Sequence, residues 1–296
     1  MQTELIFEAR DIVGESLIWD ADRLRLVWVD IVGRRIQTID PESRQYESWA
    51  TPDFVTSIGL RRDGGAIVGL TKTVCLWDFG GSFRPLVSIE PDLPGNRLNE
   101  GVVGPDGAFW VGTMQNNIAP DGSPTDITAD TGRIWRCTAD GAVTALSEDR
   151  FGITNTFCWT NGGGLVTADT LQNALYRYAI DPVTHQFSDR HIYLQGFDRG
   201  LPDGSTMDAE GYIWNCRVAG GGCVVRIDPE GRIDRVIDLP CSWPTSCAFG
   251  GPGLDTLFVT SARFSMTADH IAGHPQEGGL FAVKTGVTGV PCHRFG

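Results

Sequence analysis

Long apolar runs are missing from this chain. No stretch of 18 apolar residues occurs in its 296 positions, so a membrane-crossing helix is not expected. Basic residues are scarce: 24 Lys and Arg stand against 37 Asp and Glu, a formal net charge of −13. That balance opposes binding along a nucleic-acid phosphate backbone, which needs a basic face. The first residues, Met1 to Asp11, carry neither a basic stretch nor a long apolar one, so no secretory signal is expected. Histidine is rare, and His185, His191, His270, His274 and His293 fall in no ligand or nucleophile motif. The eight cysteines contain no C-x-x-C pair, which excludes zinc-finger spacing and points to free, mostly buried thiols in a cytoplasmic protein. Ser205 lacks a G-x-S-x-G elbow, and Gly220-Gly221-Gly222 lacks the Lys and helix of a phosphate loop. Capped amphipathic patterns three helical turns long are absent as well.

Short β-rich runs bounded by Gly, Asp, Asn and Pro are present instead, and they repeat. Asp106-Gly-Ala-Phe-Trp-Val-Gly112 aligns with Asp63-Gly-Gly-Ala-Ile-Val-Gly69 and with Glu210-Gly-Tyr-Ile-Trp-Asn-Cys216. Looser copies surround Trp28, Val166 and Phe258. One apolar marker from each copy gives Trp28, Ile67, Trp110, Val166, Trp214 and Phe258, spaced 39, 43, 56, 48 and 44 residues apart. A period in the forties with several short strands is the signature of a β-propeller. Six copies predict an all-β, six-bladed β-propeller, with residues 1–296 forming one domain. The long gap contains a polar insertion, Asn116 to Asp130, expected as a surface loop. The segment Glu4-Leu-Ile-Phe-Glu8 is expected to close the ring on the last blade.

The innermost strands of a propeller surround a channel, so the residues that open them meet at one mouth. Counting back 11 or 13 positions from each marker selects Glu15, Thr56, Asn99, Asn155, Asp203 and Thr245. All six carry side-chain oxygen. Such a ring suits a hard divalent cation held by oxygens, and a wet channel lined with bound water is the alternative reading.

Several of these residues lie in longer motifs. Gly14-Glu-Ser-Leu-Ile-Trp19, Arg97-Leu-Asn-Glu100, Gly112-Thr-Met114, Ile153-Thr-Asn155, Pro202-Asp-Gly204 and Thr260-Ser-Ala-Arg263 occur in order from about residue 11 to Phe281. Together they resemble the regucalcin/gluconolactonase family of six-bladed propeller sugar lactonases. The resemblance implies metal-dependent hydrolysis of a sugar lactone to its aldonic acid. It places the metal ligands at Glu15, Asn155 and Asp203, and substrate contacts at Arg97 and Asn99. The cation is left open among calcium, zinc, manganese, magnesium and iron.

Three positions depart from the family pattern. Glu100 stands where Asp is usual, Thr156 where Gly follows the Asn ligand, and Asn116 or Asn117 where some members carry a substrate-contacting acid. Glu100 is expected on the pocket rim or beside Arg97, and Asn117 on the rim.

Asp203 is the expected general base, because a ligand that keeps one oxygen free can take a proton from water. A small sugar lactone is the expected partner, without nucleic acid or membrane, for a monomer or small homo-oligomer. Two alternatives accompany this reading: a related metal-dependent phosphotriesterase or aryl-ester lactonase, and a calcium-binding propeller without turnover.

Overall fold

The computed structural model describes residues 2–296. Six antiparallel sheets of four strands each make up nearly all of it. The blades span residues 14–50, 55–88, 96–145, 154–195, 201–238 and 244–284, and are numbered 1 to 6 in that order. The first strand in each of these spans is the innermost: Gly14–Asp20, Val55–Leu60, Asn96–Val103, Thr154–Trp159, Leu201–Met207 and Pro244–Gly250. Thr3–Phe7 pairs antiparallel with Leu280–Lys284 and supplies the outer strand of blade 6, closing the ring as expected. Closure by the opposite end of the chain leaves no blade with an open inter-blade gap, so the edges that remain are short outer ones.

The six markers lie on the second strand of their blades, and all are buried. Three of them are tryptophans, and each buried indole N–H has found a carboxylate. Trp28 Nε1 donates to Asp11 at 2.8 Å, Trp110 Nε1 to Asp106 at 3.1 Å and Trp214 Nε1 to Asp208 at 2.8 Å. An arginine completes each group: Arg35 on Asp11, Arg136 on Asp106 and Arg226 on Asp208. Burial of a large aromatic is thus combined with a satisfied polar edge, which fixes the turn beside it. Seven of the eight cysteines are buried, all are free, and Cys292 is exposed.

The insertion after blade 3's second strand is not wholly a surface loop. Ile118 is buried in a core cluster with Val29, Ile31 and Phe54, and Arg34 donates to the Pro120 carbonyl at 3.0 Å. The loop therefore folds back over blades 1 and 2. One short helix, Ala268–Gly273, lies in the connection after blade 6's second strand.

Candidate active site

Every innermost strand slips register near its start. The irregularity lies between Glu15 and Ile18, Val55 and Ser57, Leu98 and Gly101, Asn155 and Cys158, Pro202 and Ser205, and Pro244 and Cys247. A bulge adds an unpaired residue, bends the strand and re-aims the side chains around it. All six expected ring residues lie at or beside these bulges. Gly204 shows the crowding: a Cβ there would come within 2.9 Å of the Thr245 carbonyl oxygen in the next blade.

The ring divides into two kinds of residue. The hydroxyls of Thr56 and Thr245 are turned onto backbone, the first to the Gly69 carbonyl and the second to that of Gly14. Glu15, Asn99, Asn155 and Asp203 are instead coupled to one another. Asn99 Nδ2 donates to the Thr154 carbonyl at 2.9 Å and to Asn155 Oδ1 at 3.3 Å. Asn155 Nδ2 donates to Thr170 Oγ1 at 2.9 Å, and that hydroxyl donates to the Pro202 carbonyl at 2.7 Å. These bonds fix which end of the Asn155 amide is oxygen and tie blade 4 to the segment that carries Asp203.

Glu15 and Asp203 are both buried. Burial, followed by the charges of Asp203 and Glu100, raises the Glu15 carboxyl well above the usual range. Asp203 is also raised well above its usual range, by burial first and then by Glu100. Carboxyl groups crowded in a dry place call for a cation or for protons. Among the described residues, no three His, Cys, Asp or Glu side chains are grouped as a metal site. The expected ligands are of another kind: two carboxylates with the amide oxygen of Asn155. An all-oxygen set with two formal negative charges fits a hard divalent cation.

Arg97 lies beside this set and is buried. Its NH1 donates to Asn99 Oδ1 at 2.7 Å and to the Leu98 carbonyl at 2.8 Å. Its NH2 donates to Asn117 Oδ1 at 2.8 Å. Burial lowers the guanidinium to about 10, against the attraction of Glu15 and Asp203, so it remains charged at neutral pH. The back-folded insertion is what brings Asn117 onto Arg97.

Of the two places expected for Glu100, the one beside Arg97 is not taken. It makes no bond to Arg97, whose hydrogen bonds go to Leu98, Asn99 and Asn117. Its carboxylate accepts from the Gly101 N–H, its charge acts on Glu15 and Asp203, and the residue also lines the channel below the ring. The bulge puts Asn99 and Glu100 together opposite a single partner, Gly112, and so breaks the simple alternation that a sequence reading assumes. The five histidines all lie away from the ring, as expected, and none is buried.

The family model for the SMP-30/Gluconolactonase/LRE-like region matches residues 13–263. The chain belongs to this family. Regucalcin from Xenopus laevis is 32% identical over 288 residues, covering 96% of this chain and 94% of that protein. A pentonolactonase from Haloferax volcanii is 33% identical over 290 residues, covering 95% and 94%. Among solved structures, a calcium-binding protein, regucalcin from Agrobacterium tumefaciens, matches with a TM-score of 0.91 at 28% identity, over 100% of this chain and 97% of that one.

Within the SMP-30/gluconolactonase/LRE-like frame, the departure at Thr156 has a local physical account. Thr156 adopts φ 60° inside the bulge, a conformation that a glycine takes without strain. Its hydroxyl donates to the Asp203 carbonyl at 2.5 Å and lies 2.8 Å from Ser205 Oγ. Side-chain bonding across the blade boundary thus accompanies a backbone shape that disfavours a β-branched residue.

Proposed function

We propose that this protein hydrolyses a sugar lactone to the open aldonic acid. The observation that carries the reading is the convergence of Glu15, Asn155 and Asp203 from three blades, with the Arg97–Asn117 pair beside them. Family membership and the likeness to a pentonolactonase support it.

Glu15, Asn155 and Asp203 would hold one divalent cation. When bound, the cation supplies Lewis-acid polarisation of the lactone carbonyl. Asp203 takes a proton from the attacking water through a carboxylate oxygen left free of the ion. Arg97 presents its remaining NH2 donor and its positive charge to a ring hydroxyl or the ring oxygen of the substrate, with Asn117 and Asn99 fixing the orientation of the guanidinium. An ion held only for structure would need neither Arg97 nor Asn117, and that disfavours a binding propeller without turnover.

Proton release measured on a panel of aldonolactones, with and without added divalent metals, tests the reading. Metal-dependent turnover of at least one hydroxyl-rich lactone is expected. Lack of turnover across the panel with every metal would overturn the proposal.

A further inference from the structure

The channel has a second mouth, where the innermost strands end, and the last residues of the chain lie across it. Beyond blade 6 this segment touches all six blades, each time close to the end of an innermost strand. The Thr288 carbonyl accepts from the Ala209 N–H of blade 5 at 2.8 Å, and the Gly289 N–H donates to the Leu254 carbonyl of blade 6 at 2.8 Å. The Cys292 thiol lies 3.5 Å from the Trp19 carbonyl oxygen of blade 1, and His293 stands edge-on to Trp159 of blade 4. Phe295 donates to the Leu60 carbonyl of blade 2 at 2.9 Å and accepts from the Arg62 N–H at 3.1 Å. The Gly296 N–H donates to the Gly107 carbonyl of blade 3 at 3.1 Å.

The two ends of the segment are held, and the middle is not. Gly289 is buried, and a Cβ there would come within 2.1 Å of the Phe249 Cβ. Phe295 is buried in a core cluster with Val103 and Phe109. Residues 290–293 are exposed. Among the described residues, no main-chain group from Val290 to Arg294 makes a hydrogen bond. Arg294 is held through its side chain alone, on Asp20, Asp22 and the Arg61 carbonyl. Val290 to Arg294 line one side of a cavity of about 490 Å³, whose other walls include Leu17, Phe157 and Met207. Cys158 and Cys247 also line it, and both are buried. A covering with few backbone bonds and few buried contacts belongs to the least stable part of a fold, the part that opens first.

We propose that residues 289–296 form a strap over the second mouth that lifts while the six blades stay folded, and that small solutes enter the channel from this side only when it lifts. The strap lies on the opposite side of the ring from the Arg97–Asn117 rim and does not rest on the reading of the lactone site.

Alkylation of the metal-free full chain by iodoacetamide, followed at each cysteine by peptide mass spectrometry, tests the proposal. Phe295→Ala removes the buried anchor of the strap. Cys158 and Cys247 should then react at least about tenfold faster than in the unaltered chain, because local opening no longer has to free a buried ring. Cys75 and Cys223, which are buried away from the cavity, should keep their rates. Unchanged rates at Cys158 and Cys247 would overturn the proposal, since the strap would not be the barrier. So would a common acceleration of all four thiols, which would make the segment part of one cooperative unit with the blades. Hydrogen exchange of the unaltered chain gives a second reading that stands even where Phe295→Ala fails to fold. The amides of Gly289, Phe295 and Gly296 should exchange at least about tenfold faster than those paired within the blades. Equal protection would overturn the proposal.

Discussion

The hydroxyl of Thr156, in blade 4, donates a 2.5 Å hydrogen bond to the main-chain carbonyl of Asp203, in blade 5. Asn155, the residue before Thr156, is the proposed amide ligand, so one bulge both presents a ligand and braces the segment that carries another. Removing the hydroxyl is expected to loosen Asp203 without removing any donor to the cation. Thr156→Gly also relieves the positive-φ strain, worth about 1–2 kcal/mol for a residue with a Cβ. Its thermal midpoint should therefore change little while metal affinity falls by roughly 3- to 10-fold, the scale of one hydrogen bond. Thr156→Ser keeps the hydroxyl and should retain the affinity. Calorimetric metal titration of both variants checks this, and equal affinities would remove Thr156 from the support of the site.

Glu15→Gln tests the ion itself. The substitution removes one of two formal charges that offset the cation while preserving side-chain size. Metal affinity should fall by at least about a hundredfold, the upper end of the loss when a charged interaction is removed. Titration showing unchanged affinity would take Glu15 out of the metal site.

Much of the fold and the ring was legible in the sequence because a propeller repeats. The markers Trp28, Trp110 and Trp214 recur at the blade period, and counting back from them reached the start of each innermost strand. What stayed hidden were features with no residue signature of their own. Ser16 and Thr156 take positive φ within their bulges although neither is glycine. Side-chain direction near a bulge cannot be read from strand alternation, which is why Glu100 was expected on the rim or beside Arg97, whereas it is buried and acts on Glu15 and Asp203. Thr56 and Thr245 occupy ring positions, but only coordinates reveal that their hydroxyls are committed to backbone. The burial of Ile118 was likewise hidden, because its flanking residues read as a polar loop.

Asp208 offers a stability test well away from the ring. It is fully buried, accepts from the indole of Trp214 and from Arg226, and caps the backbone N–H groups of Glu210 and Tyr212. Asp208→Ala leaves these donors without their shared acceptor, although Arg226 keeps Glu210 and Asp234. Unfolding free energy should drop by about 3–5 kcal/mol, the cost of breaking a buried ion pair from one side. A urea melt measures the drop, and a loss below about 1 kcal/mol would mean that the remaining partners suffice.

Glu100 predicts a pH dependence for the metal-free protein. Burial pushes its carboxyl up to about 7 from the ordinary 4.5, with the Gly101 N–H acting in the opposite direction. Between those values the folded chain binds the proton more tightly than the unfolded chain does. Stability therefore falls as pH rises through that window, by up to about 3 kcal/mol for this group, and Glu100 adds no slope on either side of it. Glu100→Gln should flatten the decline. Urea melts at about pH 5 and about pH 7.5 compare the two proteins, and an unchanged slope would mean that Glu100 is ionised in the fold across the window.

The most direct test of the proposed chemistry is the turnover rate of Asp203→Asn at saturating metal. The amide keeps a neutral oxygen ligand of nearly the same shape and removes the base. Metal affinity should fall, yet excess metal should refill the site, as calorimetry can verify. Arg97→Ala supplies the contrast, lowering kcat/KM for hydroxyl-rich lactones with metal affinity nearly untouched. With its site full, Asp203→Asn is expected to remain slow by roughly 10²–10⁴-fold, the scale of general-base catalysis. A metal-filled Asp203→Asn protein turning over at near the unaltered rate would contradict the assignment of Asp203 as the base.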